Sequence, residues 1–185
     1  EAAFLPLLSR MLTEEWKGLS VLYVCPLRAL LNNLHPRLER YAGFVGRRAG
    51  LWHGDVADSV RRRILSDPPD VLLTTPESIE VMLTSRRVDR PWLVGNLRAV
   101  VLDELHAFAG DDRGWHLLSV LERVARFAGR DVQRVGLSAT IGNPEALLEW
   151  LAGSSGGARR GVAAPQCPAA DADVRVDHVG SIENA

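Results

Sequence analysis

Two acidic residues, Asp103 and Glu104, follow directly on the apolar run Ala99-Val100-Val101-Leu102. Carboxylates are rarely buried unless they are paired or bound to a metal. An acid pair at the end of a buried strand therefore has little structural use. Two neighbouring carboxylates can divide labour, one holding Mg2+ and the other handling a proton. The dipeptide alone also fits a solvated acidic loop. His106 follows two residues on and completes the pattern D-E-x-H. Other polar residues stand just past other apolar runs: Arg28, His53, Asp55, Thr75, Glu77, Ser138 and Thr140.

These residues need elements that bring them together. Short apolar runs ending in turn signals predict strands at Val21–Cys25, Ala49–Trp52, Val71–Thr74, Ala99–Leu102 and Val135–Leu137. Helical patterns lie between them. A helix starts at the first residue, with Pro6 in its early turns. Another runs from Leu27 to Tyr41, interrupted near His35-Pro36. A third is capped by Asp55 and reaches about Leu65. Pro76 to Leu83 is a short helix opened by proline, and Trp115 to Phe127 is stopped by Gly129. The last helix opens at Asn143-Pro144 and closes at Gly153. Strands alternating with helices imply an α/β fold, a parallel sheet with helices on both faces. Ligands of such sheets bind outside the carboxyl ends of the strands, where the polar residues above all fall. Residues 154–173 are rich in Gly, Ala, Ser and Pro and read as a flexible linker. Val174 to Val179 could begin another strand.

Composition excludes several classes. The chain has 185 residues, 46% of them hydrophobic and 24% charged, the balance of a globular domain. Its 22 basic and 23 acidic residues sum to −1, unlike a tail-driven nucleic-acid binder, although a local basic groove stays open. Cys25 and Cys167 are far apart and form no Cys-x-x-Cys, against both a disulfide framework and a structural zinc site. The expected compartment is the cytoplasm. No apolar stretch is long enough to span a membrane, and no signal peptide is visible.

Four patterns then occur in order, each at a predicted strand end: Pro26-Leu27-Arg28-Ala29-Leu30, Thr75-Pro76-Glu77-Ser78, Asp103-Glu104-Leu105-His106 and Ser138-Ala139-Thr140. Their order and spacing resemble the first motor domain of superfamily 2 helicases, in the DExH/DEAD group. Trp52-His53-Gly54-Asp55, Arg113-Gly114 and the run from Ser138 to Asn143 resemble its Lhr (long helicase-related) branch. The likeness covers residues 1–153. It implies a RecA-like P-loop NTPase domain within an ATP-dependent DNA helicase, with ATP and Mg2+ as cofactors. By the same resemblance Asp103 would bind Mg2+ through water, and Glu104 would activate the water that attacks the γ-phosphate. His106 would link the nucleotide to Ser138, Ala139 and Thr140, the segment that couples ATP state to the grip on nucleic acid. Pro26, Leu27, Arg28, Ala29, Gly54, Thr75, Pro76 and Glu77 would contact a sugar-phosphate backbone, which suits small side chains, hydroxyls and an arginine.

Plainer roles compete. His106 could satisfy a neighbouring carbonyl, Ser138 and Thr140 could be turn hydroxyls, and Arg28 a surface charge. Asp55 could serve only as a helix cap. Arg61, Arg62 and Arg63 read as a solvated helix face, and Trp16, Trp92, Trp115 and Trp150 as packing residues.

A nucleotide-hydrolysing domain of this kind needs a phosphate cradle, G-x-x-x-x-G-K-[ST], and no such run occurs. Lys17, the only lysine, sits in Glu15-Trp16-Lys17-Gly18-Leu19. In relatives the cradle leads straight into an apolar helix like residues 1–8. The expectation is a domain incomplete at its N-terminus and truncated just after that loop. Residues 174–185 would begin the connection to a second RecA-like domain of the same intact chain. Two alternatives stay open: a catalytically inactive nucleic-acid-binding or scaffold module, and a helicase acting on RNA rather than DNA.

Overall fold

Strands β1 (Val21–Val24), β3 (Val71–Thr74) and β4 (Ala99–Leu102) are almost wholly apolar and buried along their length. Such strands need cover above and below. β2 (Ala49–Trp52) and β5 (Gln133–Gly136) are only partly buried. A computed structural model of the chain describes residues 1–139, 142–155 and 161–162. Among these, the five strands form one parallel sheet in the order β2-β3-β1-β4-β5. Val24 is level with Thr74 on one side and Leu102 on the other. Trp52 aligns with Thr74, and Gly136 with Leu102. The five carboxyl ends thus finish on one line.

Side chains alternate across a pleated strand, and the alternation feeds two cores. Val21, Tyr23, Val71, Leu73 and Val101 pack with α1 (Phe4–Thr13) and α2 (Arg28–Phe44). Leu22, Val24, Leu72, Val100 and Leu102 share the other core with α4 (Pro76–Thr84), α5 (Arg90–Val94), α6 (Asp112–Ala128) and α7 (Pro144–Ala152). Ile64 of α3 (Asp58–Ser66) joins this second core. Each fully buried Leu or Val contributes about 1.5–3 kcal/mol.

Several boundaries differ from the expectation. α1 begins at Phe4, after a turn. α2 runs unbroken to Phe44 with Pro36 inside it. Leu31, Leu38 and Ala42 pin it against Ala49, Val71 and Leu73, and this packing outweighs the local cost of proline. Asp55 caps no helix: α3 starts three residues later, after Ala57. α6 starts at Asp112, because Asp111 accepts the Gly114 N–H as an N-cap. β5 spans Gln133–Gly136, shifted towards the N-terminus. α5 and a 3-10 turn at Leu105–Ala107 had no counterpart in the sequence pattern. Trp16 is buried and Trp150 packs against the second core, but Trp92 and Trp115 are exposed and are not packing residues. Thr140, most of the expected linker and the expected strand at Val174–Val179 lie outside the described residues.

Candidate nucleotide and nucleic-acid site

Because all five strands run the same way, the segments that leave their carboxyl ends share one rim of the sheet. Asp103 lies one step past β4. Its N–H still bonds to the Val24 carbonyl at 2.8 Å, so it is held as firmly as a strand residue. Being two residues beyond Val101, it leaves the sheet on the same side as Tyr23. The Tyr23 hydroxyl donates to Asp103 Oδ2 at 2.7 Å. The Glu104 N–H donates to Asp103 Oδ1 at 3.0 Å. Burial, and then the bond to this carboxylate, pushes the Tyr23 phenol well above its ordinary pKa.

Glu104 adopts a left-handed backbone, φ 52° and ψ 45°. The turn it makes is stitched to the residue just past β5: Leu105 N–H bonds to Leu137 O at 2.8 Å, and Leu137 N–H to Leu102 O at 2.8 Å. His106 sits across this seam. Its Nδ1 is 3.0 Å from Ser138 Oγ, and its Nε2 is 3.4 Å from Glu104 Oε2. Asp103, Glu104, His106 and Ser138 are therefore one connected group. Ala139 is exposed beside them, and Thr140 lies outside the described residues.

A second group occupies the other half of the rim. Pro26 is buried, whereas Leu27, Arg28 and Ala29 are exposed. Arg28 Nη1 donates to Asp55 Oδ1 at 2.8 Å. Gly54 lies beneath this arginine, where an added Cβ would come within 3.1 Å of Nη2. His53 is buried at 2% exposure. Its Nδ1 accepts the Asp55 N–H at 3.3 Å, so Nε2 carries the proton towards Asn32 Oδ1 at 2.8 Å. Burial holds this imidazole below its ordinary pKa, with Asp55 opposing.

Thr75 caps α4: its Oγ1 accepts the Ser78 N–H at 3.3 Å and donates to Ser78 Oγ at 3.1 Å. Thr75 and Pro76 are buried, so this hydroxyl is engaged inside the fold and the turn offers a ligand mainly its backbone. Glu77 is exposed and accepts from Arg113 Nη2 at 3.0 Å. Burial alone would raise its carboxyl pKa. Its own N–H and then Arg113 lead the effects that outweigh this and hold it below the ordinary value. Tyr23, Asn32 and Arg113 were not singled out as site residues in the sequence. Only the Arg113-Gly114 dipeptide gave any signal.

Among the described residues no cluster of three or more His, Cys, Asp or Glu could cage a metal. Asp103 and Glu104 instead fit Mg2+, which keeps its waters and takes one or two carboxylates with substrate phosphates. Each oxygen of Asp103 accepts one bond from the protein and keeps a further lone pair for a water. No helix among the described residues is long and apolar enough to cross a membrane.

Comparison with known proteins agrees with this fold. The DEAD/DEAH box helicase family matches residues 1–147. A protein of Mycolicibacterium smegmatis described as "Lhr helicase/ probable uracil glycosylase" is 37% identical over 83% of this chain and 11% of its own length. The "Lhr helicase/uracil glycosylase" of Escherichia coli is 35% identical over 82% of this chain and 11% of its own. The chain thus spans about a tenth of these relatives' length. The solved structure of Mycobacterium smegmatis helicase Lhr bound to ssDNA and AMP-PNP superposes with a TM-score of 0.65 at 37% identity, covering 75% of this chain and 19% of that one. By the order of its strands, the company kept by Asp103 and Glu104 and the breadth of the match, the chain belongs to the DEAD/DEAH box helicase family and resembles its Lhr members.

Proposed function

We propose that residues 1–153 are the first motor domain of an ATP-dependent DNA helicase, coupling ATP hydrolysis to movement along a strand together with a second RecA-like domain. The observation that carries this reading is the single rim on which an acid pair, a histidine–serine link and the three turns after β1, β2 and β3 stand side by side. Mg2+ bound with ATP neutralises charge developing on the phosphates. Asp103 would hold the metal through water, steadied by Tyr23. Glu104 would take a proton from the attacking water on Oε1, the oxygen not facing His106. His106 would carry the state of that carboxylate to Ser138 and on through Ala139 and Thr140. Arg28 would exchange Asp55 for a phosphate. Pro26, Leu27, Ala29, Gly54, Thr75 and Pro76 would line the track of the strand, the last two in the turn that also holds Glu77. Residues beyond 153 would connect to the second domain.

The test joins residues 1–185 to a phosphate cradle and a second motor domain in one polypeptide. DNA-stimulated ATP turnover is expected, and E104Q should lower kcat by about 100-fold or more while nucleotide binding persists. Undiminished turnover in E104Q would remove Glu104 from this role. Competition with matched RNA at fixed salt separates the two strand chemistries, and DNA is expected to bind more tightly.

A further inference from the structure

Glu77 is a misfit on this reading. A carboxylate repels phosphate, yet it stands in a turn assigned to a nucleic-acid backbone. Its partner accounts for it. Arg113, in the first turn of α6, donates from Nη2 to Glu77 Oε1 at 3.0 Å. The same nitrogen reaches the Pro26 carbonyl at 3.4 Å. The guanidinium also lies over the Phe108 ring, 5.7 Å from its centroid, within cation–π range. One side chain therefore touches the turn after β1, the helix start after β3 and the loop after β4. Its base is fixed too. Gly114 lets α6 rest on the Phe108 carbonyl, where an added Cβ would fall 2.1 Å from the oxygen. A planar guanidinium offers its donors in a rigid fork, which suits holding acceptors at a set spacing.

We propose that Arg113 is a positioning residue: it holds the Pro26–Ala29 turn and the Thr75–Glu77 turn at a fixed separation so that both engage one nucleic-acid backbone. Glu77 is then the anchor of Arg113 and not itself a contact to the strand. The proposal rests on the nucleic-acid reading above.

The sign of one substitution tests it. If Glu77 merely adds repulsion and Arg113 touches phosphate directly, E77Q tightens binding. If Glu77 anchors a clamp, E77Q weakens it. Binding of fluorescein-labelled oligo(dT) to the full chain is read by anisotropy, beside the amide spectrum of each variant. R113A and E77Q should each weaken binding by about fivefold or more, close to 1 kcal/mol. The double variant should be no weaker than R113A alone. R113K, which keeps the charge and loses the fork, should recover only part. R126A, removing another exposed arginine of α6, should change nothing. The amide signals of Leu27–Ala29 and of Glu77 and Ser78 should move in R113A and E77Q, and those of Gly46 and Arg47, past the far end of α2, should not. Tighter binding by E77Q, or unmoved signals at Leu27–Ala29, overturns the proposal. If the unaltered chain fails to bind oligo(dT), the nucleic-acid reading falls instead, and the amide signals still decide whether Arg113 holds the two turns.

Discussion

Glu104 holds a left-handed backbone at φ 52°, a conformation that costs a non-glycine residue about 1–2 kcal/mol. Glycine would adopt it freely, so the carboxylate is kept at some cost in stability. E104G should accordingly be about 1 kcal/mol more stable than E104A by urea denaturation, although both lack the acid. Equal stabilities would mean the turn is unstrained. Beneath it, Tyr23 and Cys25 give the domain an alkaline limit. Burial pushes the Cys25 thiol up to about 11 from 9.0, and pushes the Tyr23 phenol up as well, helped by Asp103. The folded state therefore keeps these protons after the unfolded chain has released them. The stabilisation is full below pH 9 and declines as pH rises, first through Cys25 and then, past about 10, through Tyr23. Y23F should flatten the fall above pH 10 in denaturation midpoints; an unchanged slope would assign it elsewhere. Asp103, Glu104, His106 and Ser138 were legible in the sequence because polar residues past apolar runs have few structural uses. Tyr23 was not. Its hydroxyl lies inside a strand, and only the pairing of β1 with β4 brings it to Asp103.

At the scale of elements, α6 sits close to the loop it follows because residue 114 has no side chain. Its Cα faces the Phe108 carbonyl, and Trp150 of α7 crowds the same spot. G114A must push backbone aside and should cost about 1–3 kcal/mol in chemical denaturation, with the Arg113 contacts disturbed as well. A smaller loss would show that α6 can slide. The strands were readable to within two residues: β1 to β4 are short, largely apolar runs closed by a turn residue, whereas β5 opens on Gln133 and Arg134 and showed only its second half. The helices were less so. Pro36 looked like a break because local cost was visible and the packing of Leu31 and Leu38 was not. α5 has five residues and no period to read. It stands on the Asp89 cap, on Leu93 and Val94 in the core, and on Arg90 over Phe127, contacts that cross the chain. Asp55 looked like a helix cap and instead pairs with Arg28, a partner 27 residues away.

For the molecule as a whole, the lone lysine stands on the wrong side to serve a phosphate. Lys17 precedes the amino end of β1, while Asp103 lies past the carboxyl end of β4, so the length of a four-residue strand, about 13 Å, separates them. K17A should leave both strand binding and nucleotide binding unchanged, and the 185-residue chain alone should hydrolyse ATP at background rate. Measurable turnover by the chain would mean that other residues cradle the phosphates. The strand order carries a further consequence. The chain makes its strands in one sequence and shelves them in another, so that β2, β3 and β1 lie together and β4 and β5 lie together. On the proposed reading this sorts the rim into two territories, one for the polymer and one for the fuel. The frontier between them is a single interstrand gap, about 4.8 Å wide. Tyr23 reaching Asp103, and Arg113 reaching Pro26 and Glu77, are side-chain ties across it. Random substitutions should therefore sort into two unmixed classes of defect, with hybrids confined to that border.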